Sequence, residues 1–310
     1  MAKRGKAVPK AQPGVAVSIA RGLRPHQWIK NALIFVPLVL GGLLLEYDAW
    51  GYASLGFVAL CLAASGTYLV NDIWDAENDR RHWSKRDRPI ASGALSARNG
   101  ILIALVLFAL AFGVAGFIGR DEMAILAVYV AGALSYTFYW KRIPVADIFV
   151  LASLFTLRIA LGIFILDVRI SPWLLIFSMF VFLSLSAAKR HTELLRNNES
   201  ANAKDLGRGY LPSDAPLLLG LGMASMLGAV LINIIYLLED AFPREVYGNP
   251  NWLWVIPPVL FLFLGRVWLL SQRGELLDDP VAFALKDRVS LSLGFLMAAG
   301  FAAAVLGIRF

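Results

Sequence analysis

The sequence predicts an all-α polytopic membrane protein with nine transmembrane helices. Three observations predict it. Hydrophobic residues make up 58% of the 310 and charged residues 16%, whereas soluble domains run near 45–50% apolar and about 25% charged. The apolar residues fall in blocks close to the ~20 residues that cross a bilayer as a helix. Lys and Arg concentrate in alternate connections between those blocks.

The blocks run over 29–47, 53–73, 99–119, 122–140, 144–166, 171–188, 214–237, 252–271 and 289–308. The first is the weakest, being short and flanked by Lys30 and Glu46. With the N-terminus inside, the inner segments hold 24 of the 29 Lys and Arg residues. The outer segments hold Arg120, Arg169, Arg244 and Arg309, and Arg158 falls within the fifth block. Miscounting one helix would scramble this division, so it supports both the count and an N-in, C-out orientation. The outer loops are short and mostly acidic. The inner loops after the second, sixth and eighth blocks are longer and mixed in charge, as loops that carry chemistry are. Residues 1–22 read as a flexible basic cytoplasmic tail without the apolar stretch of a signal peptide. Residues 23–310 read as a single membrane domain.

Cys61 is the one cysteine, which excludes an internal disulfide and a cysteine-based metal cluster. It reads as a small packed hydrophobe. The net charge of +7 suits work beside anionic lipid and phosphorylated substrates, though alone it proves neither. A nucleic-acid partner is not expected. Oligomeric state is left open.

The end of the second block carries the chemistry. Asp72 and Asp75 are three residues apart, and Asp75 and Asp79 four apart. If the helix continues, these three share a face with Asn71. Three carboxylates on one stripe repel each other, and a divalent cation removes that repulsion. Oxygen donors without His or Cys suit Mg²⁺, which takes one or two carboxylates plus waters and substrate phosphates. Asn71, Asp72, Asp75 and Asp79 are therefore the expected metal ligands, and the three aspartates the expected catalytic group. A plain solvated helix end, neutralised by Arg80, Arg81 and Lys85, is the competing reading. Ionisable groups at the end of a membrane span favour function. The next loop supplies Lys85, Arg86 and Arg88, cations suited to phosphate.

The Asn-Asp-x-x-Asp-x-x-x-Asp run, followed by Lys85-Arg86-Asp87-Arg88-Pro89-Ile90-Ala91-Ser92-Gly93, resembles the UbiA-type intramembrane prenyltransferase superfamily. The resemblance covers the chain from about residue 20 onward. It implies nine helices around a central cavity, a polar site under cytoplasmic loops, and an acidic motif that holds a diphosphate through Mg²⁺.

Typical members carry a second Asp-rich motif at the end of the sixth helix. Here that stretch reads Ser186-Ala187-Ala188-Lys189-Arg190-His191-Thr192-Glu193, led by two cations. Cations meet a phosphate directly, without a second metal. One acidic and one basic pole suit a donor with a diphosphate and a separate phosphate, such as phosphoribosyl pyrophosphate. Lys189 and Arg190 are expected on its 5-phosphate, with Glu193 orienting Lys189 or meeting a ribose hydroxyl. Segments 23–39, 135–142, 187–195 and 278–288 resemble the decaprenyl-phosphate phosphoribosyltransferase branch. That resemblance implies transfer of 5-phosphoribose to a polyprenyl phosphate, with release of pyrophosphate, for arabinose donors of the cell envelope. It also implies a bacterial cytoplasmic membrane with the site facing inward.

Further expected substrate contacts are Arg24, Lys30 and Asn31 at the first span, Tyr136 near the end of the fourth and Lys141 just after it, and Arg158. A lone cation that deep needs a polar cavity or a partner, for which Asp167 or a neighbouring helix is a candidate. The roles of Asp278, Asp279, Lys286 and Asp287 stay open. Two other functions compete. One is aromatic prenyl transfer from a prenyl diphosphate. The other is transport, against which stands the clustering of charge at helix ends rather than at the midplane.

Overall fold

The computed structural model describes residues 14–81, 85–169, 171–198, 209–243, 246–276, 283–284 and 286–309. Among these the chain is helical, without strands. Helix α1 is Val15–Leu23, followed by a 3₁₀ stretch, Pro25–Phe35, that runs into α2, Val36–Leu40. Then come α3 (Tyr47–Trp74), α4 (Ala76–Arg81), α5 (Ala97–Ile118), α6 (Arg120–Phe138), α7 (Ala146–Ile165) and α8 (Pro172–Asn198). The last three are α9 (Ala215–Tyr236), α10 (Ile256–Gln272) and α11 (Arg288–Leu306).

Seven segments are long and apolar enough to cross a membrane, namely α3, α5, α7, α8, α9 and α10 with their flanking turns, and α11. The expected count of nine is not reached on that measure among the described residues. The fourth expected span is α6, a 19-residue helix whose first turn holds Arg120, Asp121 and Glu122. The first expected span begins and ends earlier than 29–47. Its backbone is tighter than an α-helix over Pro25–Phe35, and at its end Val36 N–H bonds the Leu33 carbonyl, which Pro37 has no N–H to meet. At about 2.0 Å per 3₁₀ residue and about 1.5 Å per α residue, Pro25–Leu40 extends roughly 30 Å, a full hydrocarbon thickness.

Residues 15–22 are not tail-like. Val15–Leu23 is a helix whose Ile19 and Leu23 pack with Leu69, Val70 and Ile73 of α3. Residues 1–13 of the expected tail lie outside the described residues.

Apolar side chains also cover the outside. Leu105, Val106, Leu110 and Phe117 of α5, and Phe295 and Leu306 of α11, are exposed. Such faces suit hydrocarbon, where the backbone is satisfied within each helix. Between helices, small residues permit close approach. Ala59 and Ala63 of α3 pack in one cluster with Ala111 and Ala115 of α5. On α7, a Cβ at Gly162 would run into the Ile34 carbonyl, so α7 lies directly on the 3₁₀ stretch. Along that stretch Trp28 donates to Ser65 at 3.0 Å and Asn31 to Cys61 Sγ at 3.3 Å, while Ile34 meets α3 beside Gly56. Helix α8 continues ten residues beyond its expected end at 188. That extension carries Lys189, Arg190 and Glu193 on rigid helix.

Candidate active site

The acidic stripe forms at a break. Helix α3 ends at Trp74, and Asp75 caps it by donating its N–H to the Asn71 carbonyl at 2.9 Å. Helix α4 resumes at once, and Asp79 N–H donates to the Asp75 carbonyl at 2.8 Å. The stripe therefore keeps near-helical register, with Asp72 and Asp79 buried and Asp75 half-buried. Asn71 is half-buried one turn earlier.

Three distant cations converge on these carboxylates. Arg24, in left-handed backbone between α1 and the 3₁₀ stretch, pairs with Asp72 and lies 5.1 Å from the Tyr68 ring centroid. Arg88 bridges Asp79 at 2.7 Å and Asp72 at 3.2 Å. Lys141, in the turn after α6, reaches Asp75 at 2.5 Å and is itself buried. The expected local neutralisers behave otherwise. Arg80 donates to the Ala91 carbonyl and Arg81 pairs with Glu77, which points away from the stripe. Arg86 is exposed, outside this group.

Lys85 lies between this pole and the end of α8. Burial, then the Arg88 guanidinium, hold its ammonium below the usual lysine range. Asp79, Glu193 and Asp75 act on it in the opposite sense, so carboxylates of both poles lie near it.

The α8 end is not a bare basic pole. Arg190 is 3% exposed. Its Nε donates to Asp147 at 2.6 Å, Nη1 to Glu193 at 2.6 Å and Nη2 to Tyr136 at 3.1 Å. Asp147 also accepts from the Tyr210 hydroxyl at 2.5 Å, which in turn accepts from Val145 N–H at 2.8 Å. Burial and the bond to Asp147 push the Tyr210 phenol well above its ordinary value. Gly209, at φ +69°, lets the chain pass the Arg142 carbonyl, where a Cβ would collide. Lys189 is half-buried beside this group.

A third group sits deeper. Arg158 donates to Asn31 Oδ1 at 2.9 Å, the Leu154 carbonyl at 2.6 Å and the Tyr129 hydroxyl at 2.9 Å. Its partner is therefore Asn31, not Asp167. Lys30 lies over the Phe155 ring, 5.7 Å from the centroid.

Among the described residues no three His, Cys, Asp or Glu side chains converge closely enough to hold a metal alone. The oxygen-only set still fits Mg²⁺, which needs one or two carboxylates if substrate phosphates and water complete its shell.

The UbiA prenyltransferase family pattern matches residues 34–294. The chain belongs to the UbiA prenyltransferase family. A UbiA homologue from Archaeoglobus fulgidus, solved with GPP and Mg²⁺, superposes with a TM-score of 0.67 at 17% identity, covering 94% of this chain and 99% of that one. This UbiA protein is 31% identical over 299 residues to the decaprenyl-phosphate phosphoribosyltransferase of Mycolicibacterium smegmatis, covering 92% of both. It is 34% identical to nodulation protein NoeC of Azorhizobium caulinodans, covering 86% of this chain and 87% of that one. It is 44% identical over 285 residues to protein y4nM of Sinorhizobium fredii. That match covers 91% of this chain but spans only 55% of the longer y4nM protein.

Sequence reasoning missed Asp147, Tyr210, Tyr129 and Tyr68. Asp147 left one signal, an acid in the first turn of a span. Tyr210 and Tyr129 left none, since aromatic residues are ordinary in membrane helices and their margins. Asp278, Asp279 and His82 lie outside the described residues. Asp287 caps α11 through Ser290 N–H and pairs with Arg266 through two 2.8 Å bonds.

Proposed function

We propose that this UbiA protein transfers 5-phosphoribose from phosphoribosyl pyrophosphate to a polyprenyl phosphate and releases pyrophosphate. The observation that carries the reading is the α8 end. Where a second acidic motif would recruit metal, it offers Lys189 and a locked Arg190, with Lys85 between it and the acid pole. The identity to the mycobacterial phosphoribosyltransferase, over nine-tenths of both chains, supports it.

Asn71, Asp72, Asp75 and Asp79 would hold Mg²⁺ jointly with the donor diphosphate. A bound divalent ion would offset the charge that develops on the leaving pyrophosphate. Arg24, Arg88 and Lys141 already lie at the carboxylates and are placed to meet diphosphate oxygens. Lys189 meets the 5-phosphate. Arg190 acts by fixing the helix end rather than by touching substrate. The acceptor phosphate is anionic near neutral pH and needs no strong general base. That suits a chain with three histidines, one of which, His191, is buried against Ser271. The site faces the cytoplasm of a bacterial inner membrane, with the N-terminus inside and the C-terminus outside.

Prenyl transfer to an aromatic acceptor is the second reading, favoured by the fold shared with a GPP-bound homologue. Purified protein given Mg²⁺, phosphoribosyl pyrophosphate and a polyprenyl phosphate should release pyrophosphate. Asp75→Asn should lower that rate about 100-fold or more, the scale of losing a charge-stabilising group. Release from a prenyl diphosphate and an aromatic acceptor, with none from phosphoribosyl pyrophosphate, would select the second reading.

A further inference from the structure

Two cations meet at one aromatic ring, deeper in the bundle than the acid pole. Phe155 of α7 stacks on Phe182 of α8, with centroids 4.4 Å apart and planes 7° from parallel. Lys30 Nζ lies 5.7 Å and Arg158 Cζ 5.1 Å from the centroid of Phe155. Phe182 stacks on the same ring, so the two cations and a second aromatic meet at Phe155. Phe155 is eight residues past Asp147, about 12 Å further along α7.

Arg158 is 5% exposed and sits within a membrane span. Its three hydrogen-bond acceptors, Asn31, the Leu154 carbonyl and Tyr129, are all neutral. Three of the five guanidinium N–H donors are thereby used. Among the described residues it forms no ion pair with a carboxylate. A buried cation without an anion is costly in hydrocarbon. The acid pole, which accounts for the diphosphate, lies at the helix ends and does not reach it.

We propose that the pair of cations at the Phe155 ring, Lys30 and Arg158, forms the subsite for the phosphate head of the lipid acceptor. This rests on the phosphoribosyl-transfer reading above. Two cations match a phosphate monoester, which carries nearly two negative charges, and a guanidinium binds phosphate oxygens in pairs. The depth selects a lipid over a soluble anion, because the site lies beside stacked phenylalanines within the apolar part of the span.

The test is titration of the detergent-purified full chain with farnesyl phosphate, farnesol, inorganic phosphate and Mg²⁺–pyrophosphate, each by calorimetry. Lys30→Gln should weaken farnesyl phosphate at least about tenfold, a modest share of a charge-assisted contact. Lys30→Arg should restore binding, and Mg²⁺–pyrophosphate should bind all three proteins alike. Arg158→Lys provides a second variant that keeps the charge but loses the paired donors, and it should weaken farnesyl phosphate as well. Unchanged farnesyl phosphate binding in both variants would overturn the assignment. So would an equal loss of pyrophosphate binding, or inorganic phosphate binding as tightly as farnesyl phosphate. A wild-type chain that ignores farnesyl phosphate but binds a prenyl diphosphate with Mg²⁺ would overturn the reaction itself, and this subsite with it.

Discussion

Replacing Asp147 by alanine isolates what holds the α8 end. Asp147 is fully buried and accepts from both Arg190 and Tyr210. Without it, Arg190 keeps Glu193 as its anion, and that carboxylate is partly exposed. Breaking a buried pair from one side leaves an uncompensated charge and costs about 3–5 kcal/mol. With an unfolding entropy of roughly 2.1 cal/mol/K per residue, over 310 residues, the midpoint should fall by about 5–8 °C. Thermal unfolding in detergent, followed by intrinsic fluorescence, reads this. The decisive comparison is the double variant Asp147→Ala with Arg190→Leu. Removing both charges leaves no fully buried orphan, since Glu193 is partly exposed to solvent, so it should be more stable than Asp147→Ala alone. A double variant no better than the single one, or a single variant melting with the wild type, would refute the argument that Asp147 neutralises Arg190.

Three further outcomes are expected. Because Lys85 is lowered by burial and then by Arg88, its unfolded form holds the proton to higher pH, and stability contributed by this group rises with pH below the ordinary value of 10.5. A bound diphosphate favours the charged form, so calorimetric affinity for Mg²⁺–pyrophosphate should fall as pH rises through the lowered value, and Lys85→Met should flatten that dependence. Asp287 is held far below the ordinary carboxylate range, first by its hydrogen bond from Arg266. Its stabilisation is present above the ordinary carboxylate value and is lost as pH falls through the depressed one. Asp287→Ala should cost about 1–2 kcal/mol as a lost helix cap and ion pair, visible as a lower melting midpoint at neutral pH and little difference in strong acid. Gly162→Ala should push α7 off the 3₁₀ stretch, since the added carbon collides with the Ile34 carbonyl. A loss of about 1–3 kcal/mol is expected, checked by thermal unfolding and by weaker farnesyl phosphate binding.

The all-helical membrane fold was legible because apolar blocks of span length declare themselves. Most expected spans fall within a few residues of α3 and α5–α11. The first was displaced because its residues adopt a 3₁₀ run, which gains more length per residue than the α-helix that periodicity anticipates. The acid stripe was legible from spacing alone, since three- and four-residue steps share a helix face. Its partners were not. Arg24 and Lys141 stand 48 and 66 residues from the aspartates they meet, and local spacing is silent about such distances. The same blindness hid the partners of Arg190. Its charge is spent on Asp147 and Glu193, 43 and three residues away.

The 3₁₀ run and α3 behave like two rulers with commensurate marks. Trp28, Asn31 and Ile34 recur every three residues, and their α3 partners Ser65, Cys61 and Gly56 recur every four or five. Three 3₁₀ steps and four α steps both advance about 6 Å. The two backbones can therefore stay in phase across half the bilayer, which two α-helices with those spacings could not. A single residue inserted between Trp28 and Asn31 would shift the phase by a third of a turn. It would strand Asn31 from both Cys61 and Arg158 at once, so the deep cation and the tightened helix stand or fall together.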